Sequence, residues 1–299
     1  MIPSFSISSV ERDTGLSKDV LRVWERRYGF PSPIRDTNGD RCYSVDQVER
    51  LHLIKRLMDL GHRPGKLINL PIESLKTVAP RSPVTRAEAN SSEVRDLNIL
   101  IDLIKQHSLT DYKHLMQQHL ARLGLQRFVQ DIIAPLSVCI GQAWASGNLD
   151  IFEEHLFSES TNRFMRMAID ALPGGNRSPR VLLTTVPDEQ HSLGLLMAES
   201  ILALEGAECI SLGTQLPLLE IVHAARAQRA DIVALSFSSA FPQRQLIDLL
   251  KDLRSLLKPE ITLWAGGNGI AKLVKMEEIL FFPSLDAIVI ALTEWRALQ

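Results

Sequence analysis

The stretch VLLTTVPDEQHSLGLLMAESILAL, residues 181–204, passes from a short apolar run through a polar loop into an amphipathic helical pattern. A buried strand that delivers the chain to a helix is the unit from which parallel sheets are built. Four more short apolar runs follow, CISLG, IVALSFS, ITLWAG and AIVIA, and they alternate with helical patterns such as 191–206 and 242–257. Continuous apolar strands separated by helices predict a Rossmann-like α/β domain, a parallel sheet covered on both faces. Ligands of such sheets bind outside the carboxyl ends of the strands, and the loop 186–192 lies beyond the end of the first one.

Within that loop His191 stands two residues after Glu189 and three before Gly194. A lone histidine at a helix mouth is most often a cap, a surface group or a satisfied core residue. Its neighbours favour a different role. The Glu189 carboxylate can accept from one ring nitrogen and fix the tautomer, so that the other nitrogen is presented to a metal. Gly194 removes a side chain where something large must approach the helix. Ser236-Phe237-Ser238 places small hydroxyl residues at the end of the third run, and Gly266-Gly267 opens the backbone after the fourth. One metal ligand with three openings suits a bulky cofactor with a buried tail.

These residues resemble the cobalamin-binding domains of the methionine synthase and mutase type, whose pattern is D-x-H-x-x-G, then S-x-L, then G-G. Here E-Q-H-S-L-G is separated by 41 residues from S-F-S at 236–238, and 27 more lead to Gly266-Gly267. The resemblance implies that His191 is the lower ligand of cobalt and that Ser236 and Gly266-Gly267 line a channel for the displaced nucleotide base. Two positions depart from the pattern. Glu189 replaces Asp, which keeps the carboxylate and lengthens its reach by a methylene, and Ser238 replaces Leu.

Upstream, residues 93–172 are helical in pattern, with boundaries at Ser108-Leu109-Thr110, Gly124 and Gly147-Asn148, and predict a four-helix bundle. Its segment AWASGNLDIFEEHLFSE, 143–159, holds Trp144, nine intervening residues, then Glu154-His155. Read alone, Trp144 would be bundle core and the Glu-His pair a polar surface. Beside the downstream pattern, the W-x9-E-H spacing resembles the helical lid of adenosylcobalamin-dependent light regulators. That resemblance implies that Trp144 covers the adenosyl group and that Glu154 and His155 face the same cavity. Photoreceptor members of that group carry a histidine directly after the tryptophan. Ala145 stands there in this chain and cannot ligate a metal.

At the amino-terminal end Ser6 and Ser17 are placed to cap two short helices joined at Thr14-Gly15, a helix-turn-helix. Asn38-Gly39 lies between two strand-like arms and predicts a hairpin. A helix begins at Ser44 and ends at Gly61, and another starts near Pro64. W-E-R-R-Y-G-F-P-S-P-I-R, 24–35, and the wing G-D-R-C-Y, 39–43, resemble the winged helix-turn-helix of the MerR family. The physical reading agrees: Lys18, Arg22, Arg26 and Arg27 lie along one helix that can enter a groove of double-stranded DNA, with Arg35 and Arg41 flanking the hairpin and Tyr43 closing it. Arg12 and Arg50 read as solvated surface charges. Residues 1–70 carry twelve Lys/Arg against nine Asp/Glu, although the whole chain has a net charge of −2.

A composition of 45% hydrophobic and 23% charged residues excludes a disordered chain, and 299 residues suffice for two or three domains. Cys42, Cys139 and Cys209 are far apart and form no C-x-x-C pair, which suits a reducing compartment. The start MIPSFSISSVERD lacks the pattern of a signal peptide, and no run approaches the roughly 20 apolar residues of a membrane span. The expected organisation is a MerR-type reader at 1–75, a Pro/Ser linker at 76–92, the bundle at 93–175 and the cobalamin-binding domain at 178–299.

The function these resemblances imply is that of a cytoplasmic, non-enzymatic transcriptional regulator, a repressor whose operator binding is controlled by adenosylcobalamin, or methylcobalamin, and by light. A linker where many MerR proteins have a coiled coil implies a homo-oligomer, dimer or tetramer, assembled through the other domains. Two alternatives stand beside it: a cobalamin-independent regulator switched by a protein partner, and a corrinoid carrier or mutase subunit.

Overall fold

The computed structural model describes residues 4–59, 62–78, 91–173, 177–271, 273 and 276–298. Most of the expected linker, the Gly61 helix end and residues 174–176 between the expected bundle and the sheet domain lie outside the described residues. The chain divides into two compact units, Met1–Thr85 with Gly141–Asp150, and Arg86–Ile140 with Ile151–Gln299.

The first unit opens with β1 (Ser4–Ser6), α1 (Ile7–Thr14) and α2 (Lys18–Tyr28). Ser6 Oγ accepts from Ser9 N at 3.2 Å and Ser17 Oγ from Val20 N at 3.3 Å, so both expected caps form. Such a cap is worth about 1 kcal/mol. Gly15 ends α1 at φ 69°, a left-handed conformation that costs glycine nothing. β2 (Ile34–Arg35) and β3 (Arg41–Ser44) form the hairpin, and β1 pairs with the far side of β3, giving the antiparallel order β1-β3-β2. The strand β1 was not expected, because three residues are too few to show alternation.

α3 (Val45–Asp59), α4 (Pro64–Leu67) and α5 (Ile72–Thr77) complete the head, α5 again being too short for periodicity to reveal. Leu21, Trp24, Tyr43, Leu51, Ile54 and Leu67 meet in its core. Two expectations are corrected here. Tyr43 is 0% exposed, so it is a core residue and its side chain does not face a DNA groove. Arg50 is not a solvated charge: its Nη2 donates to the Ile68 and Leu70 carbonyls at 2.7 and 2.9 Å, and its guanidinium lies over the Phe30 ring.

Four helices follow: α6 (Ser91–Lys105), α7 (Leu109–Arg127), α8 (Ala134–Ala145) and α9 (Ile151–Asp170). A π-helical turn, Phe128–Ile133, joins α7 to α8, and Gly124 at φ 71°, ψ 162° breaks helical geometry where the glycine marked a boundary. The continuous stretch Leu109–Ala145 is long and apolar enough, by length and composition, to cross a membrane, contrary to the expectation that no run qualifies. Its apolar residues have another use: Met116, Phe128, Val129, Ile133 and Leu136 are fully buried in the protein core.

The remaining elements are β4 (Arg177–Thr184), α10 (Leu193–Leu204), β5 (Ala207–Ser211), α11 (Leu218–Ala227), β6 (Ile232–Ser236), α12 (Gln243–Leu256), β7 (Thr262–Gly266), β8 (Ile279–Phe282) and α13 (Asp286–Ala297). The five strands form one parallel sheet in the order β5-β4-β6-β7-β8. AIVIA, 287–291, is not the fifth strand but lies within α13. Ile288 and Leu292 are buried while Ile290 is 61% exposed, a helical spacing, whereas a covered parallel strand buries every residue. The fifth strand is instead ILFF, four residues at a sheet edge. After β4 the chain passes to β5 on one side and then to β6 on the other, so a crevice opens outside the carboxyl ends of β4 and β6.

Candidate functional site

The loop leaving β4 is built around Glu189. Thr185 Oγ1 donates to the Glu189 carbonyl at 2.5 Å, Glu189 N donates to the Val186 carbonyl, and Asp188 turns the chain at φ 68°. This places the Glu189 side chain inside the protein at 1% exposure. Its Oε1 accepts from His191 N at 3.0 Å and from His191 Nδ1 at 2.7 Å. Its Oε2 accepts from Ser238 N at 2.7 Å, on the loop leaving β6. Burial alone would raise this carboxyl's pKa, but the hydrogen bonds from His191 and Ser238 and the nearby imidazole hold it below the usual value.

With its extra methylene over Asp, the Glu189 carboxylate reaches the imidazole at 2.7 Å. An ionised carboxylate only accepts, so the proton of the facing ring nitrogen is on Nδ1, and Nε2 is the nitrogen suited to a metal. The imidazole is 62% exposed, open to a large partner.

Gly194, in the first turn of α10, faces Ser236: a Cβ there would lie 2.6 Å from Ser236 Oγ. Any side chain at 194 would close the gap between α10 and the end of β6. Ser238 Oγ, on the loop leaving β6, is buried with no hydrogen-bond partner. The two later glycines divide in role. Gly267 has φ 93° and a Cβ there would strike the Phe237 carbonyl, so only glycine permits the loops after β6 and β7 to approach. Gly266 has ordinary clearance, 3.5 Å to the Phe282 carbonyl, and its C=O accepts from Phe237 N at 3.0 Å.

Among the described residues no group of three or more His, Cys, Asp or Glu side chains converges on a point. A metal at His191 would thus arrive with its other ligands supplied, as the cobalt of a corrin does. The single imidazole, the glycine gap and the orphaned hydroxyl fit such a group.

The remaining expected cofactor residues lie in different units. Glu154 and His155 lie near the start of α9, where Glu154 accepts from Ser158 Oγ at 2.5 Å and His155 is 72% exposed. Trp144 is at the end of α8 and belongs to the first unit, where Arg56 Nη1 donates to its carbonyl at 2.6 Å and the guanidinium carbon lies 4.7 Å from its ring centroid.

The expected nucleic-acid face is α2 with its hairpin. Lys18, Arg22 and Arg26 recur every four residues on one stripe, with Arg22 and Arg26 exposed. Lys18 and Arg22 are held by Glu11 and Asp19 at 3.5 and 3.2 Å, exposed pairs that phosphates can displace at little cost. Arg27 is exposed beside Tyr28, and Arg35 Nη1 donates to the Gly39 carbonyl at 2.7 Å, stiffening the wing. Arg41 is committed inward, with Nε donating to Glu25 Oε2 at 2.8 Å. The sequence reading missed Val23, 43% exposed between the arginines, an apolar group of the kind that meets thymine methyls. Nothing in the linear pattern marks it, because exposure depends on which segments pack against α2.

Residues 5–70 match the MerR HTH family regulatory proteins, and residues 179–289 match the B12 binding domain. The chain is 29% identical over 268 residues to the HTH-type transcriptional repressor CarH of Myxococcus xanthus, covering 88% of this chain and 89% of that one. It is 32% identical over 111 residues to the mercuric resistance operon regulatory protein of Bacillus cereus, covering 37% of this chain and 76% of that one. The monomethylamine corrinoid protein of Methanosarcina barkeri shares the fold at a TM-score of 0.56 and 14% identity, over 68% of this chain and 99% of that one. With its helix-turn-helix at one end and its sheet domain at the other, the chain belongs to the MerR HTH family of regulatory proteins and carries a B12 binding domain.

Proposed function

We propose that this chain is a transcriptional repressor whose hold on a double-stranded DNA operator is set by cobalamin. The observation that carries the reading is the Glu189 carboxylate, which fixes the His191 imidazole from one strand end and the Ser238 backbone from the next. His191 serves as the lower ligand. Gly194, Ser236, Ser238, Gly266 and Gly267 form the wall of the channel below, and Trp144, Glu154 and His155 cover the upper face. The domain organisation is a reader at 1–75, a linker at 76–92, a bundle at 93–175 and a cobalamin-binding domain at 178–299.

The adenosyl form is the resident one, with methylcobalamin as the rival, because an aromatic ring and a carboxylate suit a nucleoside better than a methyl group. When bound, cobalamin supplies a cobalt–carbon bond that visible light cleaves. The protein's own part is to read the upper group with Trp144 and Glu154, to hold the lower face rigid through His191, and to present Lys18, Arg22, Arg26, Arg27 and Arg35 to the operator. Half-sites are engaged as a dimer or tetramer in the cytoplasm, without enzymatic turnover.

The test is an absorption spectrum of protein mixed with adenosylcobalamin in darkness and desalted, repeated after green illumination, together with operator binding in each state. Retained corrinoid with a histidine-ligated spectrum and light-dependent operator affinity is the expected result. Loss of all corrinoid on desalting refutes the proposal and leaves a regulator switched by a protein partner.

A further inference from the structure

Arg56 sits on α3 between Ile54 and Leu57, both fully buried in the head, and is itself only 6% exposed. A cation so placed needs a reason. Its guanidinium grips a single residue twice, donating from Nη1 to the Trp144 carbonyl at 2.6 Å and lying 4.7 Å from the centroid of the Trp144 ring. The carbonyl lies at the end of α8 and also accepts from Gly147 N at 3.1 Å, and a cation placed there complements the helix dipole. Backbone and ring are held together, so the direction of the indole is fixed. The hold is shallow nonetheless: Arg56 Nε is buried with no hydrogen-bond partner, and burial lowers the guanidinium pKa against a rise from Asp150.

Trp144 is the residue to which the proposed function gives the upper face of the cofactor, so the inference rests on that reading. We infer that Arg56 is a positioning residue that holds Trp144 to the reader head in the ligand-free protein and competes with the cofactor's adenosyl group for the same indole. Turning the ring onto a nucleoside requires release of the grip. Release frees a buried donor from an incomplete site, and the reader head loses its tie to the end of α8. Coupling of this kind is reciprocal: whatever weakens the grip strengthens binding of the adenosyl form, and the adenosyl form weakens the grip.

The test uses the full chain in darkness, with dissociation constants for adenosylcobalamin and for hydroxocobalamin, which has no adenosyl group. Arg56→Met should tighten adenosylcobalamin binding by about tenfold, within the range usual for coupled sites, and leave hydroxocobalamin within about twofold. Arg56→Lys, which restores a cation, should return most of the difference. In a Trp144→Leu background, Arg56→Met should change neither constant.

Equal shifts for both corrinoids, or no shift for either, overturn the inference while leaving the proposed function standing, as Arg56 would then be packing alone. Failure of the wild-type chain to bind either corrinoid overturns both. Should Arg56→Met not fold, Arg56→Gln, which keeps one donor for the carbonyl without the charge, must give an intermediate preference for the adenosyl form.

Discussion

Glu189→Gln changes one oxygen into an amide nitrogen at the centre of the candidate site. The carboxylate accepts three hydrogen bonds, two on Oε1 from His191 and one on Oε2 from Ser238 N at 2.7 Å. Glutamine has one acceptor oxygen. Facing it toward His191 preserves two bonds and sets an amide NH2 against the Ser238 N–H; the reverse orientation loses both His191 bonds. The first is preferred, at the cost of one bond to a charged acceptor, about 1.5–3 kcal/mol. The surviving bond to Nδ1 becomes neutral and about half as strong.

Removing a buried charge returns part of its desolvation cost, so the global melting temperature should move little and the effect should concentrate in the ligand loop. Loss of such a supporting partner typically costs ~10–100-fold in metal affinity. Titration of dark, full-length variant with adenosylcobalamin, followed by visible absorbance, should show a loss in that range. A variant that binds within about twofold of wild type, with an unchanged spectrum, refutes the claim that Glu189 positions His191.

Other substitutions probe separate parts. Gly194→Ala should abolish corrinoid retention on desalting while leaving far-UV circular dichroism unchanged, because its Cβ would sit 2.6 Å from Ser236 Oγ. Burial holds the Glu199 carboxyl above its usual range, reinforced by Asp170 and opposed by Ser211 and Arg166. Its contribution to stability is therefore complete below the unfolded pKa of about 4.3 and is lost as pH rises through the elevated value. Glu199→Gln should melt above wild type at neutral pH, and the gap should close as pH falls toward that of an ordinary glutamate. Tyr43→Phe should be close to neutral in thermal melts, since the hydroxyl is buried without a partner, whereas Tyr43→Ala should cost about 3–5 kcal/mol. Arg26→Ala should weaken operator binding and flatten its salt dependence by about one phosphate in a salt-titration series.

The parts of the fold visible in the sequence were those with repetition. Four of the five strands announced themselves as apolar runs, both caps of the reader as serines before helical periodicity, and the hairpin as Asn38-Gly39. What stayed hidden was short or contextual. β1 and β8 have three and four residues, too few to display a period, and Ile288-Val289-Ile290 reads as strand until Ile290 is seen to face outward. At the candidate site, spacing located Glu189, His191, Gly194 and Ser236, yet no spacing could show that Glu189 also accepts from Ser238 N. Long-range assignments of polar groups are likewise absent from local pattern: the inward turn of Arg41 to Glu25, the burial of Tyr43 and the grip of Arg56 on Trp144 all depend on which segments fold against which.

The division of Glu189's oxygens between two loops bears on how such a site could be moved from one protein to another. Six residues, Glu189 through Gly194, hold the whole ligand motif, and it is tempting to treat them as a portable cassette. Transplanted alone, they would bring the imidazole without the amide that steadies its carboxylate and without the hydroxyl-bearing strand end that the glycine was opened to meet. The smallest piece that carries the chemistry is a pair of neighbouring parallel strand ends in fixed register. A design that begins from the sheet and adds the histidine last should succeed where one that begins from the histidine fails.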